Sequence, residues 1–213
     1  MLGDGFLSKF YYFGETIFLL LYVNFLWICF TFLGCIIFGI GPSTVAMFTV
    51  FRKWSMGNDG IKTFQVFWQT YKKEFVRANG LSLILLLIGY MLYINFQFLQ
   101  LDSLWLQQVS KVLLIIALIV YGITVIYIFP MYVHYENKLF TYFKNAMLLA
   151  IYSPIRTLYL IAACLTLYYL YFHLPVFIFF LGASLTSLVI MYITYRTFRR
   201  LEIRQSQLQE TEA

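Results

Sequence analysis

The side chains able to do chemistry are few and widely spaced. The chain of 213 residues carries two histidines and three cysteines. His134 and His173 terminate apolar runs expected to end on opposite sides of a membrane, so they cannot share an ion. Cys29, Cys35 and Cys164 lie within apolar runs, with no CxxC or His-paired spacing, and are expected as small packed side chains. No paired carboxylates, Ser-His-Asp set or phosphate-binding loop is visible. Neither an enzymatic activity nor a cofactor is therefore expected.

The stretch that invites a binding role is FGIGPSTVAMFTVFRKW, residues 38–54. Gly39 and Gly41 suit a helix end, and Pro42 suits the first position of a new helix. Ser43 and Thr44 would then fall in its first turn, where hydroxyls meet unpaired backbone groups. A helix start within the apolar layer presents a positive dipole end, which suits an anion or a carbonyl. This predicts a small polar pocket at Gly41, Pro42, Ser43 and Thr44, joined by Asn24. The alternative is a plain helical hairpin whose glycines allow close packing. The stretch ends in Arg52, Lys53 and Trp54, a basic-aromatic anchor at the interface.

The elements that must position these residues follow from composition. Hydrophobic residues make up 62% of the chain and charged residues 11%, against about 25% charged in soluble domains. Charge-free runs at 16–51, 78–101, 112–133 and 157–195 each exceed the roughly 20 residues needed to cross a bilayer. They are continuous rather than alternating, so the expected fold is all-α, a polytopic helical membrane protein and not a barrel. Residues 16–51 as one helix would measure ~54 Å, too long for one span. A break after residue 38 gives about six membrane helices, the second one short. With no break the count is five, and the N-terminus changes sides.

Two semi-polar segments complete the pattern. In IKTFQVFWQTYKKEFVR, Phe64, Phe67, Trp68, Tyr71 and Phe75 recur on one helical face. Trp68, Lys72, Lys73 and Arg77 would anchor this helix in the interface plane, lysines toward headgroups. ENKLFTYFKNAMLLAIY at 136–152 reads the same way, with Phe140, Phe143 and Met147 on its apolar side and Ser153-Pro154 as its stop. The order of elements in 42–99 resembles that in 112–172, which would make a parallel internal repeat within one integral membrane domain, 1–213.

Orientation follows from lysine and arginine. Arg52, Lys53, Lys62, Lys72, Lys73 and Arg77 crowd the 52–77 loop, and further basic residues mark 134–156 and the polar tail 197–213. The intervening loops hold Lys111 alone. The basic loops and the C-terminus are expected in the cytoplasm. The N-terminus is expected there too if the helices number six. On a membrane protein this net charge of +6 reports topology, not nucleic-acid binding.

The GPST-A turn, the following RKW, and the loop GNDGIKTFQVFWQTYKKEF together resemble the bacterial YesL family, a membrane family described as a domain of unknown function. Residues 38–76 carry the specific part; the rest matches mainly in hydropathy. The resemblance implies a small multi-spanning protein of the cell membrane, and its association with carbohydrate uptake and two-component sensing. It brings no catalytic residues. The expected role is an accessory or regulatory component working with lipid and with a carbohydrate importer subunit or sensor kinase. The alternative is a small-solute, sugar-like transporter, with Tyr22, Asn24, Tyr90, Tyr93, Asn95 and Gln97 lining a path if they face inward.

Overall fold

A computed structural model describes residues 3–57, 60–99, 103–135 and 139–212. Side chains are described from Tyr11 to Arg200, Leu139 and Phe140 excepted, and at a few positions beyond. Asn58 and Asp59 of the GNDG sequence, Asp102, Lys138, and the side chain of Phe140 lie outside the described residues. All regular structure among the described residues is helical: α1 (Gly3–Leu33), α2 (Ile37–Ser55), α3 (Thr63–Phe98), α4 (Leu104–His134), α5 (Leu139–Tyr152), α6 (Pro154–His173) and α7 (Pro175–Glu212). Five have the length and apolarity to cross a bilayer: Tyr11–Leu33, Thr63–Phe98, Leu104–His134, Pro154–His173 and Pro175–Arg200. Their outer faces expose Leu86, Leu87 and Met91 on α3, Ile116 and Ile119 on α4, and Leu165 and Tyr168 on α6. So much exposed apolar surface is foreign to a water-soluble monomer. The protein is a multi-pass membrane protein.

The expected break is present but lies earlier than Gly39. The chain turns at Gly34–Cys35–Ile36, and Cys35 and Ile36 both take positive φ (54° and 65°). Ile37 N–H donates to the Cys35 carbonyl at 2.8 Å, closing a γ-turn of the strained, positive-φ kind. A Cβ on Gly34 would run into the backbone of Gly39, and one on Gly39 into that of Thr31. The glycines therefore allow α1 and α2 to touch and do not end a helix. α2 starts at Ile37, so Pro42 lies inside it, and Ser43 and Thr44 are past the first turn. At 19 residues α2 is about 28 Å long, longer than the residues from Pro42 would make. It is nevertheless absent from the five apolar spans.

The first semi-polar segment also differs from expectation. It is not a separate interfacial helix but the opening of α3, which runs unbroken through Ala78, Asn79 and Gly80. The aromatic face explains why. Phe67 and Tyr71 are buried, and with Trp68 they surround Phe30 of α1 at centroid distances of 5.0–5.4 Å. The Tyr71 hydroxyl donates to the Phe30 carbonyl at 3.1 Å. An apolar stripe is covered by protein here, not by lipid: α3 packs chiefly against α2, and Phe30 of α1 fills the aromatic face. Phe64, at the end of the stripe, stays exposed.

Elsewhere α4 begins at Leu104, seven residues before Lys111, and α7 carries the charged tail as helix. α5 is separate as expected, but it buries Tyr142, Ala146 and Leu149 while Met147 is exposed. Cys29 and Cys35 are exposed, not packed, and Cys164 is half-buried. Several threonine hydroxyls within the spans bond the carbonyl four residues back, as those of Thr124, Thr166 and Thr194 do, which satisfies them without water.

Candidate functional site

The five residues expected to form a pocket are placed in separate contacts. Asn24 is buried and joins α1 to α7: its Nδ2 donates to the Phe179 carbonyl at 2.8 Å, and its Oδ1 accepts from Ser184 N–H at 3.2 Å. Gly41 faces α3, where a Cβ would meet Ser82 Oγ and the Ala78 carbonyl. Pro42 and Ser43 are buried within α2. Thr44 accepts from Trp27 Nε1 at 3.1 Å and donates to the Ile40 carbonyl at 2.7 Å. These are the contacts of interhelical packing, where small and amide side chains bring helices together.

The residues expected as interface anchors divide between the end of α2 (Arg52, Lys53 and Trp54) and the first half of α3 (Trp68, Lys72, Lys73 and Arg77). Trp54 approaches Tyr12, with centroids 6.4 Å apart. Trp68 stacks on Tyr71, and Lys72 Nζ lies 4.7 Å from the Trp68 ring centroid. Arg52 is half-buried; Lys53, Lys72, Lys73 and Arg77 are exposed.

Beside these anchors is a polar notch that no sequence motif announces. An open cavity of about 540 Å³ lies where α2, α3, α4 and α5 meet. α3 provides Gln69, Thr70, Lys73, Glu74 and Arg77; Val45 and Thr49 of α2 and Tyr132, Val133 and Tyr142 of α4 and α5 close it. Glu74 is its centre. With only 16% of its side chain exposed, against 77% for Lys73, it accepts a 2.6 Å hydrogen bond from the Tyr132 hydroxyl. Its other oxygen lies 4.0 Å from Lys73 Nζ, an exposed pairing of at most about 1 kcal/mol. The Tyr142 ring stands 5.1 Å from that of Tyr132 and its hydroxyl donates to the Tyr135 carbonyl. The only signal for Glu74 in the sequence is that it is the sole carboxylate between Asp59 and Asp102.

Other concavities are lined elsewhere, one by Glu15, Tyr22, Trp54 and Lys62, another by Ser153, Arg156 and Arg200. No trio of His, Cys, Asp or Glu able to hold a metal occurs among the described residues.

Comparison with known proteins adds the family. The family described as a protein of unknown function, DUF624, matches residues 20–96, from the middle of α1 nearly to the end of α3. YesV of Bacillus subtilis (strain 168), an uncharacterized protein, is 35% identical over 193 residues, covering 91% of this chain and 93% of its own. YteU of the same strain is 36% identical over 199 residues (93% and 89%), and YesL is 33% identical over 192 (87% and 88%). The chain belongs to the DUF624 family. No solved structure matches it. The DUF624 match spans the strained turn, the Phe30 cluster and the α3 half of the notch, and the three relatives extend the similarity over almost the whole chain.

Proposed function

We propose that this protein is a non-catalytic accessory or regulatory component of a carbohydrate-uptake system in the bacterial cell membrane, with its basic side and both termini in the cytoplasm. The observation that carries the reading is the first third of α3. Lys72, Lys73, Val76 and Arg77 lie side by side and exposed, Val76 to 80%, in the charged first part of the candidate span Thr63–Phe98, ahead of its charge-free remainder. A rigid rod from the membrane with an uncovered basic-apolar face is suited to holding a partner at the cytoplasmic surface. The carbohydrate part of the proposal comes from the family resemblance, as does the choice between an importer subunit and a sensor kinase.

The transporter alternative has less support. Tyr90, Tyr93 and Gln97 are exposed on the outside of α3, and Asn95 bonds the Met91 carbonyl of its own helix. Asn24 is engaged with α7, so these side chains do not converge on a passage. A photo-crosslinking residue at Val76, activated in cells growing on an oligosaccharide, tests the accessory reading. The expected product joins this chain to an importer permease subunit or to a sensor kinase. Crosslinks to lipid alone, with the chain purifying by itself in mild detergent, would contradict it.

A further inference from the structure

We propose that the notch between α2, α3, α4 and α5 binds a phosphate group, held chiefly by Lys73 and Arg77. Its polar wall is rich in donors. Lys73 and Arg77 provide ammonium and guanidinium hydrogens, and Gln69 and Thr70 add an amide and a hydroxyl. None of these four makes a side-chain hydrogen bond to another described residue. The single carboxylate offsets only one of the two cations: one Glu74 oxygen accepts from Tyr132 at 2.6 Å and the other faces Lys73 at 4.0 Å, which leaves the Arg77 charge uncompensated. Two cations and one carboxylate leave one net positive charge, which balances a phosphodiester more closely than a dianion. At about 540 Å³ the space is in the range of small-molecule sites, which run from ~300 to ~1,000 Å³. Arg and Lys pair strongly with phosphate through charge-assisted hydrogen bonds.

Placement narrows the source. Arg77 is the last charged residue of α3, and the helix from Ala78 to Phe98 carries none. The notch thus sits at the edge of the apolar band, where phospholipid headgroups lie, and Val45 and Val133 give it an apolar wall. The phosphate of an anionic glycerophospholipid meets these conditions, as does that of a soluble phosphate ester entering from the aqueous side. This binding goes beyond the accessory role and does not depend on it.

The test uses the full chain, delipidated in detergent, and native mass spectrometry with short-chain phosphatidylglycerol, short-chain phosphatidylcholine and inorganic phosphate in turn. Lys73→Gln/Arg77→Gln removes the two cations of the notch. Lys53→Gln/Lys62→Gln removes two exposed cations near it in sequence but outside it. Lys73→Arg/Arg77→Lys keeps the charge. The proposal expects one phosphatidylglycerol retained by the native chain, at least tenfold weaker binding in the notch double glutamine variant, and changes under threefold in the other two variants. Inorganic phosphate binding with the same variant pattern, and no retained lipid, would assign the site to a soluble phosphate. Equal losses in both glutamine variants would show diffuse attraction to a basic surface and overturn the proposal. So would unchanged binding in Lys73→Gln/Arg77→Gln, or binding of neither phosphate source.

Discussion

Two parts of the molecule begin from similar sequence texture and fold differently. In α2–α3 an aromatic, basic segment and the apolar span after it form one helix of 36 residues. In α4–α6 the corresponding segment is a separate helix, α5, cut off from α6 at Ser153-Pro154. Proline at the first position of α6 needs no N–H there but disfavours helical geometry at Ser153 before it. α3 has no proline, and Ala78-Asn79-Gly80 passes as helix. The first segment also has a partner: Phe30 fills its aromatic face. α5 instead lies on α4, with the Tyr142 hydroxyl bonding the Tyr135 carbonyl. The α5–α6 junction is tied to α4 by a 3.0 Å hydrogen bond between the Tyr127 and Thr157 hydroxyls. Whether a semi-polar segment stands or breaks is decided by one proline and by what covers its apolar face.

That contrast can be attacked at its strongest point first. Ala78→Pro imposes on α3 the stop that α5–α6 already has, and does so where Ala78 is fully buried against Gly41. It should cost about 3 kcal/mol or more and abolish monodisperse protein on size-exclusion chromatography. Pro154→Ala, the converse change at a tolerated position, should leave the elution profile as it was. Phe30→Ala removes the cover of the α3 aromatic face while leaving α3 uncut. The loss expected from emptying such a site is about 3 kcal/mol, seen as a lowered thermal midpoint in detergent and as faster hydrogen exchange between residues 63 and 75 than between 81 and 98.

Smaller changes separate the contribution of the notch from that of the bundle. Tyr132→Phe deletes one of the hydrogen bonds joining α3 to α4 and leaves Glu74 without its donor; a decrease of about 1–2 kcal/mol is expected, with the Phe30 cluster unaffected. Ile36→Gly acts in the opposite sense. It relieves a positive φ that a β-branched residue tolerates poorly, and should raise the thermal midpoint by the equivalent of about 1 kcal/mol. A lowered midpoint would mean that the α1–α2 turn does not hold Ile36 in that conformation.

The sequence reveals the helical membrane class, the broken first segment and the Ser153-Pro154 stop, because long apolar runs and prolines act locally. It conceals the true corner. Cys35 and Ile36 have no preference for positive φ, whereas Gly39, Gly41 and Pro42 look like a helix boundary and serve instead in close packing and helix interior. The aromatic period of residues 64–75 is plain, but periodicity cannot tell whether lipid or Phe30 covers the stripe. Asn24 and Ser184 are 160 residues apart, and Glu74 and Tyr132 are 58 apart. No spacing rule joins such pairs; only the packing of the helices does.

The continuity of α3 is what places the basic face and the notch, and a distance measures it. Spin labels at Gln65 and Leu87, both exposed, and at Met147 and Tyr169, also exposed, form two pairs with the same separation of 22 residues. Double electron–electron resonance in lipid nanodiscs, with the native cysteines replaced, should give a narrow distance near 33 Å for the first pair, as an unbroken helix requires, and a shorter one for the second. A Gln65–Leu87 distance as short as that of Met147–Tyr169 would mean that α3 bends where α5 and α6 part, and would contradict the account.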